Sequence, residues 1–126
     1  MISKRRLEEE YTWVHKKTTT MAGKTTIKNK ESIKRVIDKV KPINTLDYGC
    51  GKAWHYLHDY VHHEWGIERP VLYDPYVSEF SKLAGYGHHY FDLVLCVDVM
   101  EHILPDEVDE TLHQLFFLGN FVYFHI

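Results

Sequence analysis

Apolar residues recur along this chain in two ways: at helical intervals in some stretches and in short unbroken runs in others. Ile33, Val36, Ile37 and Val40 stand at i, i+3, i+4 and i+7. That is one stripe of a helix, with Glu31 at its start, Lys39 and Lys41 at its end, and Pro42 closing it. Residues 43–48 then read as a strand running into Gly49-Cys50-Gly51. Trp54, Leu57, Val61 and Trp65 predict a single helix that Gly66 and Pro70 end, and residues 71–73 a second strand closed by Asp74-Pro75. Residues 76–89 predict a loop with one helical turn. The run 91–97 is almost wholly apolar, as in a strand of a parallel sheet buried on both faces. Pro105, Asp106 and Glu107 open a helix whose expected apolar face is Val108, Leu112, Leu115 and Phe116. Gly119 stops it, and 121–126 is the last strand. Upstream, 4–14 reads as a short helix and 16–29 as a loop.

Strands alternating with helices predict an α/β fold with a mostly parallel sheet. In such sheets, ligands bind at the carboxyl ends of the strands, near the point where strand order reverses. Gly49, Gly51, Asp74 and Asp98 all fall at predicted strand ends.

The chemistry at those ends narrows the ligand. Two glycines after a strand allow a tight turn and let a ligand approach the backbone. The phosphate-loop pattern is absent, and Trp54 stands where a dinucleotide fingerprint needs its third glycine. Asp47 before the turn would repel a pyrophosphate but accept from an ammonium group, so a cationic nucleoside fits better. Asp74 is placed to take both ribose hydroxyls.

Leu46-Asp47-Tyr48-Gly49-Cys50-Gly51, Leu72-Tyr73-Asp74-Pro75 and the run from Phe91 through Asp98-Val99-Met100-Glu101-His102 together resemble class I S-adenosylmethionine-dependent methyltransferases. They are most like the small methyltransferase-like proteins that bacteriophages encode. The resemblance covers about residues 31–126 and implies a Rossmann-like three-layer α/β/α sandwich with a reduced sheet. It implies that Asp47, Gly49 and Gly51 hold the methionine part of the cofactor and Asp74 the ribose, with Cys96 and Asp98 beside the methyl group. It makes Asp98 and His102 the catalytic candidates, acting on an unidentified methyl acceptor. Asp98, Glu101 and His102 also resemble the metal-binding motif of some relatives. The leading Asp is short for that role, so a pocket wall is favoured over a divalent metal. The alternatives to methyl transfer are an enzyme that cleaves S-adenosylmethionine without an acceptor and a non-catalytic binding module or partner subunit. The family's third strand has no counterpart between residues 76 and 90, and its last helix and hairpin are missing after Ile126. The last strand would then be an apolar edge, and the expectation is either a shortened form of the fold or a second copy or partner that covers it.

Composition changes this picture little, and charge changes it more. The 126 residues are 44% hydrophobic and 26% charged, an ordinary composition for one domain. No apolar stretch is long enough to span a bilayer, and 1–10 lacks a signal-peptide core. Cys50 and Cys96 are too few for a disulfide scaffold and read as reduced thiols of a cytoplasmic protein. Residues 1–42 carry net +7 and residues 43–126 net −10. A basic arm over 1–30 folding onto its own acidic domain is favoured over one that binds nucleic acid, because its basic residues are scattered. Tyr11, Trp13 and His15 are candidates for a lid on that arm. His55, His58 and His62 are expected on a solvated helix face, and His88-His89 is a weak candidate for a substrate contact.

Overall fold

Ile33 and Ile37 bury the stripe expected of them, on a helix that runs Lys30–Val40 (α2) in the computed structural model, which describes residues 24–83 and 85–125. Lys41 ends α2 in the left-handed conformation, with its N–H on the Ile37 carbonyl at 2.7 Å. Before it, Lys24–Lys28 forms a short helix (α1), where a loop was expected. Thr26 is buried and Ile27 packs on the same core as α2, so tertiary burial outweighs the poor helix propensity of Thr. The expected helix over 4–14 and the Tyr11, Trp13 and His15 lid lie outside the described residues.

Four strands form one all-parallel sheet: β1 (Thr45–Tyr48), β2 (Val71–Tyr73), β3 (Phe91–Val97) and β4 (Gly119–His125), in the order β2-β1-β3-β4. The register is Leu46 with Val71, Leu46 with Val94, and Leu93 with Phe121. Asp92 fixes the start of β1, its Oδ2 accepting from the N–H groups of Ile43 and Asn44 at 2.7 and 3.1 Å. From Leu93 onward, side chains of β3 alternate between two hydrophobic clusters on opposite faces of the sheet. Leu93, Leu95 and Val97 join Ile33, Ile37, Tyr56 and Trp65, while Val94 and Cys96 join Leu46, Tyr48, Leu115 and Leu118.

The single helix expected over 54–65 is two, Trp54–Leu57 (α3) and Val61–Trp65 (α4), broken at Tyr60 in the left-handed conformation. His55, Tyr56, Val61, His62 and Trp65 are the buried positions. On one continuous helix, Tyr56 and Val61 would stand about 140° apart, so the break is what lets both face the sheet. His55 and His62 therefore leave the solvated face expected of them, and Leu57 is exposed instead of buried.

A 3₁₀ turn, Ser78–Phe80, supplies the one turn expected in the loop after β2. Two more, Met100–His102 and Pro105–Glu107, lead into the helix Val108–Leu118 (α5). Leu115 is buried and Val108 and Leu112 are partly buried as expected, whereas Phe116 is exposed and Leu118 takes its place on the apolar face of α5. Among the described residues, no helix is long and apolar enough to cross a membrane.

Candidate functional site

The carboxyl ends of β1, β2 and β3 meet at a small cleft that is open to solvent. Tyr48 and Gly49 come to it from β1, Asp74, Pro75 and Tyr76 from β2, and Val99, His102 and Ile103 from the segment after β3.

The glycine turn is clasped from the neighbouring strand. Gly49 N–H and Cys50 N–H both donate to the Tyr73 carbonyl, at 2.7 and 3.0 Å. Gly51 N–H donates to Asp74 Oδ2 at 2.9 Å, and Tyr76 N–H to Asp74 Oδ1 at 2.9 Å. Gly49 and Gly51 have φ of 90° and 59°, the left-handed region where a side chain is strained. A Cβ on Gly49 would also overlap Val99 Cγ2, so the turn and the segment after β3 touch backbone to side chain. Asp74 is 1% exposed, and the expected Asp-Pro turn thus doubles as a brace for the glycine turn. Tyr48 runs under the cleft to α5, its hydroxyl donating to Gln114 Oε1 at 2.7 Å. Burial, then Tyr73, pushes its phenol above the ordinary value, so it stays protonated.

Asp47 does not reach the cleft. It is 1% exposed, and its Oδ2 accepts from the Tyr56 hydroxyl at 2.6 Å and pairs with His55 Nε2 at 3.0 Å. Both partners come from α3, so Asp47 ties that helix to β1 beneath the turn. Burial, and then Asp47, holds the Tyr56 phenol well above its ordinary value. His55 Nδ1 is buried with no hydrogen-bond partner. The helical spacing of apolar residues hid this network, because a buried His-Tyr pair reads as polar; the aspartate inside β1 was the signal that something must satisfy it.

Cys96 is fully buried in the cluster under α5 and does not line the cleft. Burial pushes its thiol up to about 12. Asp98 turns away from the cleft to His125: Oδ1 meets His125 Nδ1 at 2.6 Å, and Asp98 N–H donates to the His125 carbonyl at 2.6 Å. His102 lines the cleft at its exposed rim, and Glu101 is exposed. The expected trio of Asp98, Glu101 and His102 is thus not brought together. Among the described residues, no three His, Cys, Asp or Glu side chains could hold a metal ion. His88 and His89 pack at the opposite end of the sheet, where His89 N–H donates to the Phe117 carbonyl beside the start of β4.

The chain matches no family model, no curated protein and no solved structure.

Proposed function

We propose that this chain binds S-adenosylmethionine in the cleft and transfers its methyl group to an acceptor, on a Rossmann-like three-layer α/β/α sandwich. The observation that carries this reading is the convergence of the Gly49–Gly51 turn and the Asp74 carboxylate on one cleft. The strand order supports it. The chain grows from β1 to β2 on one side and then to β3 on the other, and the cleft lies at that reversal.

The residues present suit the ligand. Asp74 lines the cleft with its carboxylate held by Gly51 and Tyr76, and it is the acceptor assigned here to the ribose hydroxyls. Gly49 lets the ligand approach the backbone, and Val99, Ile103 and the tyrosine rings give apolar walls for a purine. Asp47 serves by holding α3 under the turn through its Oδ2. His102 lines the cleft and is the side chain placed to meet an acceptor there. S-adenosylmethionine supplies an activated methyl group, and its transfer needs alignment more than strong acid–base assistance.

The test is incubation with S-adenosylmethionine, with and without a mixture of small-molecule acceptors, and identification of products by mass spectrometry. S-adenosylhomocysteine formed only with acceptor is the expected result. Methylthioadenosine formed without acceptor would replace this reading with cleavage. Recovery of intact S-adenosylmethionine in both arms would reduce the chain to a binding module.

A further inference from the structure

We propose that α4, Val61–Trp65, is an acid-released latch: a proton on His62 lifts it from the core and loosens the support that Tyr56 gives to the glycine turn. α4 is five residues long, too short to hold its shape alone. The left-handed residues Tyr60 and Gly66 stand at its two ends, with φ of 52° and 71°. Burial of Val61, His62 and Trp65 seats it, and Trp65 Nε1 donates to the Lys30 carbonyl of α2 at 3.1 Å. The Glu64–Lys30 ion pair, 3.5 Å long, is exposed and adds little.

His62 is the weak point of that seat. It is 7% exposed, and its Nδ1 finds no hydrogen-bond partner among the described residues. A proton would add a charge there and a buried donor facing no acceptor. The groups around it give that charge no help. The rings of Tyr56 from α3 and of Tyr60 lie at 5.9 and 6.3 Å, and that of His63 at 4.4 Å. Arg69, after α4, repels a second positive charge, as does His63 when protonated. Glu64 on α4 is turned to Lys30, and His55, the other histidine against Tyr56, is engaged by Asp47. Charged His62 therefore favours water over the core. With a left-handed residue at each end, α4 can reach water while the sheet stays closed.

The release reaches the cleft through Tyr56. Its ring packs edge-on against Trp65 at 6.1 Å, and its hydroxyl donates to Asp47 Oδ2 at 2.6 Å. Asp47 leads directly into Tyr48 and Gly49, which line the cleft. Lifting α4 strips one side of Tyr56 and slackens its hold beneath the turn. That a bound ligand feels this rests on the proposed function; the release of α4 does not.

Hydrogen exchange of the full chain at pH 7.5 and 5.5, corrected for intrinsic rates and read by peptide mass spectrometry, tests the latch. Residues 61–66 should lose about tenfold in protection at pH 5.5, because a released imidazole with the ordinary value of 6.5 is then about ten-to-one protonated. β3 and α5 should keep their protection. His62→Phe, or His62→Gln if that variant does not fold, should abolish the difference, and His63→Gln should leave it. Unchanged protection of 61–66 in the unaltered protein, an equal loss in β3 and α5, or a loss that survives in the His62 variant would overturn the latch. Calorimetry with S-adenosylhomocysteine at the same two pH values reads the link to the cleft. Binding should weaken at pH 5.5 in the unaltered protein and not in the His62 variant; equal affinity at both values in the unaltered protein would overturn the link. Absence of binding at pH 7.5 would remove the adenosyl reading of the cleft and leave the exchange result to decide the latch.

Discussion

Gly49 is the residue on which the site most depends. Its φ of 90° and the lack of room beside Val99 exclude any side chain. Gly49→Ala should cost about 2–4 kcal/mol in a urea melt, from left-handed strain plus overpacking. A loss under about 0.5 kcal/mol would show that the turn is not held as described. Tyr56→Phe tests the layer beneath. It removes the donor 2.6 Å from buried Asp47 and should cost about 1–3 kcal/mol, measured the same way. At this scale the sequence was legible where backbone need is coded by residue type, as at Gly49, Gly51 and Asp74. It misled where a polar side chain was to be buried. Asp47 suggested a ligand contact, yet it is buried and His55 and Tyr56 share its Oδ2. Asp98 suggested the cleft, yet it pairs with a histidine 27 residues away that no local pattern could point to.

Elements were legible in proportion to how regular their burial is. β2 and β3 fall on the expected residues, and α2 within a residue or so, because each buries one plain stripe or run. The stretch 54–65 was not legible, since its buried set of His55, Tyr56, Val61, His62 and Trp65 fits no single helical face. The break there leaves His62 buried in α4. Desolvation, then His63 and Arg69, holds its imidazole below the ordinary value of 6.5. Below pH 6.5, the unfolded chain therefore binds a proton that the folded one resists. Stability from this group is present above that pH and is lost as the pH falls through it. The melting temperature should drop between pH 7.5 and about 5.5, and His62→Phe should make that drop smaller. An identical pH dependence in the variant would mean that His62 is solvated in the folded state.

For the whole molecule, strand–helix alternation foretold a parallel sheet, and the structure has one of four strands with a hydrophobic cluster on each face. The order β2-β1-β3-β4 needed the structure, because sequence periodicity carries no information on which strands are neighbours. Cys50 and Cys96 report separately on the two clusters. Burial raises both thiols well above their ordinary value, so neither should react with a disulfide reagent in the native protein. Both should appear together as denaturant unfolds the sheet; early release of one would show that its face opens alone. The central claim is that the cleft at the ends of β1, β2 and β3 holds an adenosyl ligand through Asp74. Calorimetric titration of S-adenosylhomocysteine into the unaltered protein and into Asp74→Ala tests it most directly. The account predicts saturable one-to-one binding, weakened about 5- to 150-fold in the variant, the equivalent of about 1–3 kcal/mol for a lost charged acceptor. Absence of saturable binding to the unaltered protein, or equal affinity in a folded Asp74→Ala, would contradict it.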